Sequence, residues 1–187
     1  LPIPPEFVRR QIEVVLDDIG VDAIKTGMLH DAAVIETIAA VLQDRAAAIP
    51  VVVDPVMVAK GGHSLLAADA ILAMRHGIVP LATLVTPNVP EAEALTGMTI
   101  RDENDAAHAA RMICTLGPKA VLMTGGHLAG AYVTDVLLHG DKTFEVFQSP
   151  RVDTRHTHGT GCTLASAIAV GIAQGLALRD AVIRARR

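Results

Sequence analysis

The sequence has few aromatic residues, few cysteines and no cluster of basic residues. Its 187 residues include no Trp, one Tyr, three Phe and two Cys, and the formal net charge is −4. So few aromatic rings cannot build a stacking platform for single-stranded nucleic acid, and without a basic block the chain lacks a surface for the phosphate backbone. The composition therefore predicts that nucleic acid is not a partner.

The two cysteines, Cys114 and Cys162, have no metal-type spacing and do not form a disulfide framework. This pattern predicts a reducing, cytoplasmic location. Cys114 lies in a helical pattern, where a small core residue is expected. No signal peptide is visible at Leu1, and because the chain does not begin with Met, residues upstream of Leu1 are expected.

One stretch has the length of a membrane span but not its composition. Residues 160–178 carry no charge and include Gly171 and Gly175 at a close-packing spacing. The stretch is rich in Ala and Gly rather than Leu, and it begins at a polar glycine turn. A helix buried between a sheet and its neighbours is the favoured interpretation, so no membrane association is expected.

The rest of the composition is that of a globular chain with a large aliphatic core, since 51% of residues are hydrophobic and 19% are charged. Strand-like apolar runs alternate with helical patterns. Four such runs occupy residues 22–26, 50–54, 82–86 and 120–124. The alternation predicts an α/β fold, with a mostly parallel sheet flanked by helices on both faces and a β-hairpin near residues 132–147. No repeat or linker is present, so residues 1–187 are predicted to form a single domain.

Polar residues and glycines follow the ends of these predicted strands. They are Lys25, Thr26, Asp54, Thr86, Asn88, Thr124, Gly125, Gly126 and His127. In parallel sheets, ligands bind at the carboxyl ends of the strands. The sequence therefore predicts a ligand site at this edge of the sheet.

The most informative motif is a glycine-containing turn that leads directly into the apolar helical pattern. Gly159, Thr160 and Gly161 are expected to place unpaired N–H groups at the positive end of a helix dipole, which is an anion site. Cys162 follows in the same turn, where this setting is expected to lower the pKa of its thiol. An anion site beside a titratable group predicts phosphoryl transfer to a small molecule. The alternative is a plain helix entry with a buried cysteine.

This turn matches neither of two common phosphate-binding motifs. The chain has no Gly-Lys-Ser/Thr sequence, which excludes a P-loop. Leu164 stands where the third glycine of a dinucleotide-binding fingerprint belongs. A zinc site at His156 and His158 is not favoured either, because no matching cluster of Cys or carboxylate ligands accompanies them.

Two further motifs contain carboxylates. Asn88 and Glu91 lie three residues apart at a predicted helix start, where they could hold Mg²⁺ directly or through water beside a nucleotide's phosphates. The alternative is a capping box. Asp54 follows the Val-rich strand and suits a metal or a lysine partner, and the alternative is a turn-forming Asp-Pro pair. The Gly125–Gly126 turn could bring its amides close to phosphate, or could be a plain loop.

Four motifs together resemble one enzyme family. Residues 54–60, 86–93, 125–127 and 158–163 strongly resemble the hydroxymethylpyrimidine/phosphomethylpyrimidine kinases of thiamine biosynthesis, which belong to the ribokinase-like superfamily. The resemblance covers nearly all of residues 5–187. It implies a kinase that uses ATP and Mg²⁺ to phosphorylate 4-amino-5-hydroxymethyl-2-methylpyrimidine and then its monophosphate.

The resemblance also implies roles for individual residues. Cys162 would occupy the place of the superfamily's catalytic base, and the Gly159–Gly161 turn would form the anion hole for the migrating phosphoryl group. Asn88 and Glu91 would match the Asn-x-x-Glu metal and phosphate motif, with Asp54 adding charge near the metal. Val56 would lie near the pyrimidine, and Thr124 and the Gly125–His127 turn would border the nucleotide. A monovalent cation and a homodimer are further expectations.

The sequence departs from this family in three respects. Thr124 stands where the family usually carries Lys, so one phosphate counter-charge is missing. The family's N-terminal segment, with its first strand, Gly-rich substrate loop and second βαβ unit, is absent, and the chain stops at Arg187, short of the usual C-terminus. Such a fragment is expected to be weakly stable or to depend on a partner.

Three alternatives stay open at this point. One is pyridoxal/pyridoxine kinase of the same superfamily, which would differ most in the absent segment. Another is a non-catalytic nucleotide-binding fragment, which the departure at Thr124 favours. The third is cysteine-nucleophile catalysis, with Cys162 activated by His158 or His127.

Overall fold

Strands and helices alternate along the chain as the sequence predicts. The computed structural model describes residues 3–57, 66–140, 142–154 and 156–187. The strands are β1 (Ile24–Thr26), β2 (Val51–Val53), β3 (Leu84–Val85), β4 (Ala120–Met123), β5 (Tyr132–His139) and β6 (Phe144–Pro150). The helices are α1 (Pro5–Asp18), α2 (Ala32–Arg45), α3 (Ala68–Ala73), α4 (Val89–Thr96), α5 (Glu103–Cys114), α6 (Thr160–Ala173) and α7 (Leu178–Ala185).

All six of these strands form one sheet in the order in which they occur in the sequence. β1 to β4 are parallel, whereas β5 and β6 are an antiparallel hairpin attached to β4. This confirms the mostly parallel sheet and the hairpin, whose second strand extends to Pro150 rather than ending at residue 147. The carboxyl ends of the four parallel strands therefore lie along one edge.

Helices cover both faces of the sheet, as expected for strands that are apolar on both sides. Alternate residues of β4 point to opposite faces: Val121 and Met123 join the core that packs against α2, α4 and α5, whereas Leu122 joins the core that includes Ile168 of α6 and Val182 of α7. The three valines of β2 are all buried and divide between the same two cores. The sheet is thus fixed between two apolar layers.

The helix ends follow the capping residues of the sequence. Asp31 accepts a hydrogen bond from the Val34 N–H (2.8 Å) at the start of α2, and Asp102 accepts one from the Asp105 N–H (2.9 Å) at the start of α5. The α-helical part of the segment before β3 is only six residues long. α3 ends at Ala73 and continues as a π-helical turn, Met74–Ile78, and a 3₁₀ turn that contains Pro80, which cannot donate the N–H that an α-helix needs.

Most of the uncharged stretch at residues 160–178 folds as α6, which packs against α7. A Cβ on Gly171 of α6 would lie 2.8 Å from the Cβ of Ala181 in α7, so this glycine permits the close approach that its spacing predicts. No helix in the described ranges combines the length and apolar character that a membrane span requires.

Candidate active site

The carboxyl edge of the parallel strands gathers the polar residues that the sequence places there. Lys25 and Thr26 end β1, Asp54 follows β2, and Asn88 follows β3 after a two-residue link. Thr124 follows β4 and forms an isolated parallel bridge with Asn88. The predicted ligand edge therefore brings residues from four strands together.

An ion pair joins the ends of β1 and β2. The Nζ of Lys25 lies 3.2 Å from Oδ2 of Asp54, and the Asp54 side chain is only 6% exposed. Although the charges pair, Oδ2 has no well-formed hydrogen bond within the described residues, and the same holds for the buried hydroxyl of Thr26. Buried polar atoms without hydrogen-bond partners are rare and mark places where a ligand or ion can bind.

Asn88 and Glu91 form a complete capping box at the start of α4. The Asn88 side chain accepts a hydrogen bond from the Glu91 N–H (3.0 Å), and Oε2 of Glu91 accepts one from the Asn88 N–H (3.0 Å). The capping box, which the sequence offers as the alternative to a metal site, is therefore present. The capping box uses the side-chain oxygen of Asn88 but leaves its side-chain N–H groups without a partner among the described residues. Because N–H groups are donors, Asn88 suits an anion better than a cation.

Glu91 is buried at the same edge, and burial raises the pKa of its carboxyl to about 7. Backbone hydrogen bonds from Asn88 and Met57 oppose this rise in pKa, whereas the nearby charge of Asp54 adds to it. Two carboxylates in mutual electrostatic contact are a favourable environment for a cation.

The Gly159 turn has the open backbone that an anion site needs. Gly159 adopts φ +77°, which favours glycine, and caps α6 without a side-chain hydrogen bond. The first bond of the helix runs from the Thr163 N–H to the Gly159 carbonyl (2.8 Å). The N–H groups of Thr160, Gly161 and Cys162 have no acceptor in the part of the chain that the structure describes, and a Cβ on Gly161 would meet open space.

The prediction of a lowered pKa for the Cys162 thiol is wrong. Its pKa is raised, first by hydrogen bonding to the Asp54 carboxylate, then by burial and by the negative charges of Asp54 and Glu91; only the charge of Lys25 lowers it. Nearby carboxylates disfavour the thiolate, which outweighs the helix-terminus setting that the sequence shows. The same interactions show that the Gly159 turn and the acidic edge face each other, although Cys162 itself is exposed.

The loop after β4 is held tightly at its first glycine. The Gly125 N–H donates to Oδ1 of Asp135 (2.8 Å), and a Cβ on Gly125 would lie 1.8 Å from the carbonyl oxygen of Thr134. Gly126 has open space around its Cα, and desolvation lowers the pKa of the His127 imidazole. Thr124, just before the loop, bonds through its N–H to the Pro87 carbonyl (3.0 Å).

A protein-family model described as phosphomethylpyrimidine kinase matches residues 1–187, the whole chain. The chain belongs to the phosphomethylpyrimidine kinase family. This membership confirms the resemblance carried by the four motifs, and it makes the chain part of a family of small-molecule kinases.

Similar proteins differ in how much of their length the chain covers. The hydroxymethylpyrimidine/phosphomethylpyrimidine kinase of Streptomyces coelicolor is 48% identical over 98% of this chain and 67% of its own length. The thiamine biosynthesis bifunctional protein ThiED of Geobacter sulfurreducens is 50% identical over 99% of this chain but only 37% of its own length. The chain therefore spans about two thirds of the first protein and just over a third of the second.

A solved structure supports the fold. The ADP complex of Bacillus subtilis pyridoxal kinase superposes with a TM-score of 0.92 at 39% identity, covering 100% of this chain and 70% of that one. The predicted ribokinase-like α/β architecture is thereby confirmed. Both the pyrimidine kinases and a pyridoxal kinase are close relatives of this phosphomethylpyrimidine kinase family member.

Val56, the residue that the resemblance places near the substrate, has an unusual backbone. Its φ is +42°, which strains a β-branched residue, and such strain is concentrated at functional sites. Val56 is half-buried, directly before the buried Met57. The rest of the family motif, at residues 58–60, lies outside the described residues.

Sequence reasoning assigned no role to Lys25 and Thr26, although it noted both at a strand end. Their position directly before Gly27, at the carboxyl end of β1, is the sequence feature that identifies them as site residues. Within the described ranges no three His, Cys, Asp or Glu side chains are grouped to hold a metal. One or two carboxylates are enough where Mg²⁺ shares its coordination with phosphates and water.

Proposed function

We propose that the full-length protein containing this chain transfers the γ-phosphoryl group of ATP to the hydroxymethyl group of the pyrimidine, and then phosphorylates the monophosphate, in thiamine biosynthesis. One observation supports this proposal above all. The unpaired amides of residues 160–162 face the carboxylates of Asp54 and Glu91. Phosphoryl transfer requires groups that stabilise the charge on the transferred phosphoryl group and that hold the acceptor oxygen in line with the leaving oxygen. Family membership supplies the substrate class.

Asp54 and Glu91 would hold Mg²⁺ when the nucleotide binds. Asp54, whose Oδ2 has no hydrogen bond within the described residues, and Glu91, whose burial disfavours its charged form, fit this role because a cation would stabilise the negative charge of both carboxylates. Bound there, Mg²⁺ would neutralise charge on the phosphates of ATP. Lys25 already provides one positive charge at the same place.

The backbone would bind the phosphoryl group and the nucleotide. The N–H groups of Thr160, Gly161 and Cys162 would stabilise negative charge on the transferred group, as helix N-termini do. The side-chain N–H groups of Asn88 and the amides of the Gly125–His127 turn would bind the nucleotide phosphates, beside Thr124. Val56 would contact the pyrimidine ring.

Cys162 would act as the general base that takes the proton of the substrate hydroxyl. Because Asp54 raises the pKa of this thiol, the thiolate needs positive charge nearby. Lys25 is the positive charge in the described structure that favours the thiolate. We further propose that residues 1–187 form the single nucleotide-binding domain of the protein; the monovalent cation, the homodimer and the cytoplasmic location stay predictions.

Pyridoxal phosphorylation is the second candidate. Its specific support is the close superposition on the Bacillus subtilis pyridoxal kinase. The two activities act on a hydroxymethyl group attached to an aromatic ring, so the same phosphoryl site serves either one.

The deciding experiment measures ATP consumption by the full-length protein with the hydroxymethylpyrimidine and with pyridoxal, and identifies the products by mass spectrometry. We expect a higher kcat/KM for the pyrimidine and formation of both its monophosphate and its diphosphate. A clear preference for pyridoxal would support the second candidate. ADP binding by calorimetry without turnover of either substrate would instead indicate a non-catalytic nucleotide-binding protein.

A further inference from the structure

Arg151 binds the loop after β4 through three backbone carbonyls. Its Nε donates to the carbonyl of Gly130 (2.8 Å), one terminal nitrogen donates to Gly126 (2.9 Å), and the other donates to Leu128. The N–H of Arg151 also donates to the Ala131 carbonyl (2.8 Å). A planar guanidinium has its donors in a fixed fork, so one side chain defines the relative positions of three peptide groups.

These bonds determine where the loop amides point. In a trans peptide the carbonyl of one residue and the N–H of the next point in opposite directions. Because Arg151 holds the carbonyl of Gly126, the N–H of His127 is turned away from the guanidinium. The N–H groups of Gly126 and His127 have no acceptor within the described ranges, while the Leu128 N–H closes a turn onto the Gly125 carbonyl (3.0 Å).

The start of the loop, at Gly125, is fixed independently of Arg151. Asp135 accepts the Gly125 N–H and is itself paired with Arg186, and both side chains are largely buried. With one end fixed by a buried ion pair, the remaining freedom of the loop lies in residues 126–130, and Arg151 binds the carbonyls of three of these five positions. Arg151 itself is exposed, so its hydrogen bonds are the contacts that explain its position.

We propose that Arg151 is a positioning residue of the nucleotide site, which aligns the amides of the loop at residues 126–130 for the phosphates of ATP. This inference rests on the proposed binding of nucleotide at the Gly125–His127 turn. Arg151 acts through the loop backbone. It also begins the segment that leads from β6 to Gly159, so the same side chain ties the loop to the segment that carries the phosphoryl-binding turn.

The test uses the full-length protein with the variants Arg151→Ala and Arg151→Lys. We expect Arg151→Ala to weaken ADP binding in calorimetry and to raise KM for ATP by about tenfold, as expected when charge-assisted hydrogen bonds are lost. KM for the pyrimidine and kcat should change by less than about twofold, which separates positioning of the nucleotide from loss of the fold. Lysine cannot bridge three carbonyls, so Arg151→Lys should recover only part of the affinity.

Hydrogen exchange provides a readout that needs no nucleotide. The Leu128 amide, which donates to the Gly125 carbonyl, should exchange faster in Arg151→Ala, whereas the amides of β4 and β5 should keep their protection. Arg179→Ala is the matched control, because Arg179 is an exposed arginine that pairs with Glu145 on β6, away from this loop. We expect it to leave ADP affinity and loop exchange unchanged.

The outcomes separate the two proposals. Absence of ADP binding in the wild-type protein would overturn the proposed function, and this inference with it. Normal ADP binding in the wild type together with unchanged affinity or unchanged loop exchange in Arg151→Ala would overturn the inference alone. Full recovery in Arg151→Lys would also overturn it, because charge rather than the guanidinium fork would then be what matters.

Discussion

Lys25 and Asp54 pair across neighbouring strands, with 3.2 Å between Nζ and Oδ2 and with side chains only 19% and 6% exposed. The pair lies where β1 and β2 end, next to the start of α6. Because desolvation makes an unpaired buried carboxylate costly, Lys25 stabilises this edge of the sheet.

Replacing Lys25 by methionine should therefore destabilise the protein. Removing the Arg or Lys partner of a buried carboxylate costs about 3 kcal/mol, because the remaining charge is left without compensation. We expect a loss of that order in the free energy of unfolding, measured by urea denaturation of the full-length protein, and partial recovery in the double variant Lys25→Met/Asp54→Asn. The exposed Lys119→Met is the control, and equal effects at both lysines would contradict the argument.

Glu91 should make stability depend on pH. Its carboxyl has a pKa of about 7 in the folded protein against an ordinary value of 4.5. Below about pH 4.5 the residue is protonated in both states. As the pH rises towards 7, the unfolded chain loses the proton first, so the free energy of unfolding falls, by about 3 kcal/mol in total, and stays lower above pH 7.

The variant Glu91→Gln isolates this effect, because glutamine keeps the capping box but carries no charge. The stability of Glu91→Gln relative to wild type should rise between pH 4.5 and 7.5 in urea denaturation experiments without Mg²⁺. Glu36→Gln, at an exposed position of α2, is the control. A constant difference between Glu91→Gln and wild type over this pH range would show that the carboxyl has an ordinary pKa.

The order of elements and the location of the site could be predicted because they follow from local patterns. Asp31 caps α2 and the Val51–Val53 strand is buried on both faces, as their sequence neighbourhoods indicate. Parallel strands must end at the same edge, so residues that follow strands far apart in sequence, such as Asp54 and Thr124, were expected to share a site.

Properties that depend on pairs distant in sequence could not be predicted in this way. The pKa of Cys162 rises because Asp54, more than one hundred positions earlier, lies beside it. Likewise, the contacts of Arg151 with the loop at residues 126–130 span 21 to 25 positions and leave no periodic signal. Such partners become visible only when the strands are assembled.

Removal of the Cys162 thiol should reduce the rate of phosphorylation rather than nucleotide binding. We expect Cys162→Ala to lower kcat by about 10²-fold or more, in line with loss of a general base, with little change in ADP affinity by calorimetry. Cys114→Ala, at a half-buried position that packs against the core, should keep normal kcat. Unaltered turnover in Cys162→Ala would remove the thiol from the mechanism.

Restoring the family's usual lysine at position 124 should strengthen ATP binding. The Thr124 hydroxyl makes only a long contact of 3.5 Å with the Pro87 carbonyl, so its loss costs little. One partly exposed charge beside the phosphates should lower KM for ATP by about threefold, and the effect should shrink at high salt. Thr115→Lys, at an exposed helix end, is the control; the same change in KM in both variants would indicate a non-specific charge effect.

Replacement by alanine should destabilise the protein at Gly125 but not at the adjacent Gly126. In Gly125→Ala the new Cβ would lie 1.8 Å from the Thr134 carbonyl oxygen, so β4 and β5 must shift apart, and we expect a loss of about 3 kcal/mol in the free energy of unfolding. Gly126→Ala places its Cβ in open space and should retain wild-type stability. If the open space beside Gly126 receives the nucleotide, this second variant should instead raise KM for ATP. Thermal unfolding and ADP calorimetry on the two full-length variants measure both effects, and equal losses of stability would contradict the close packing of Gly125 against β5.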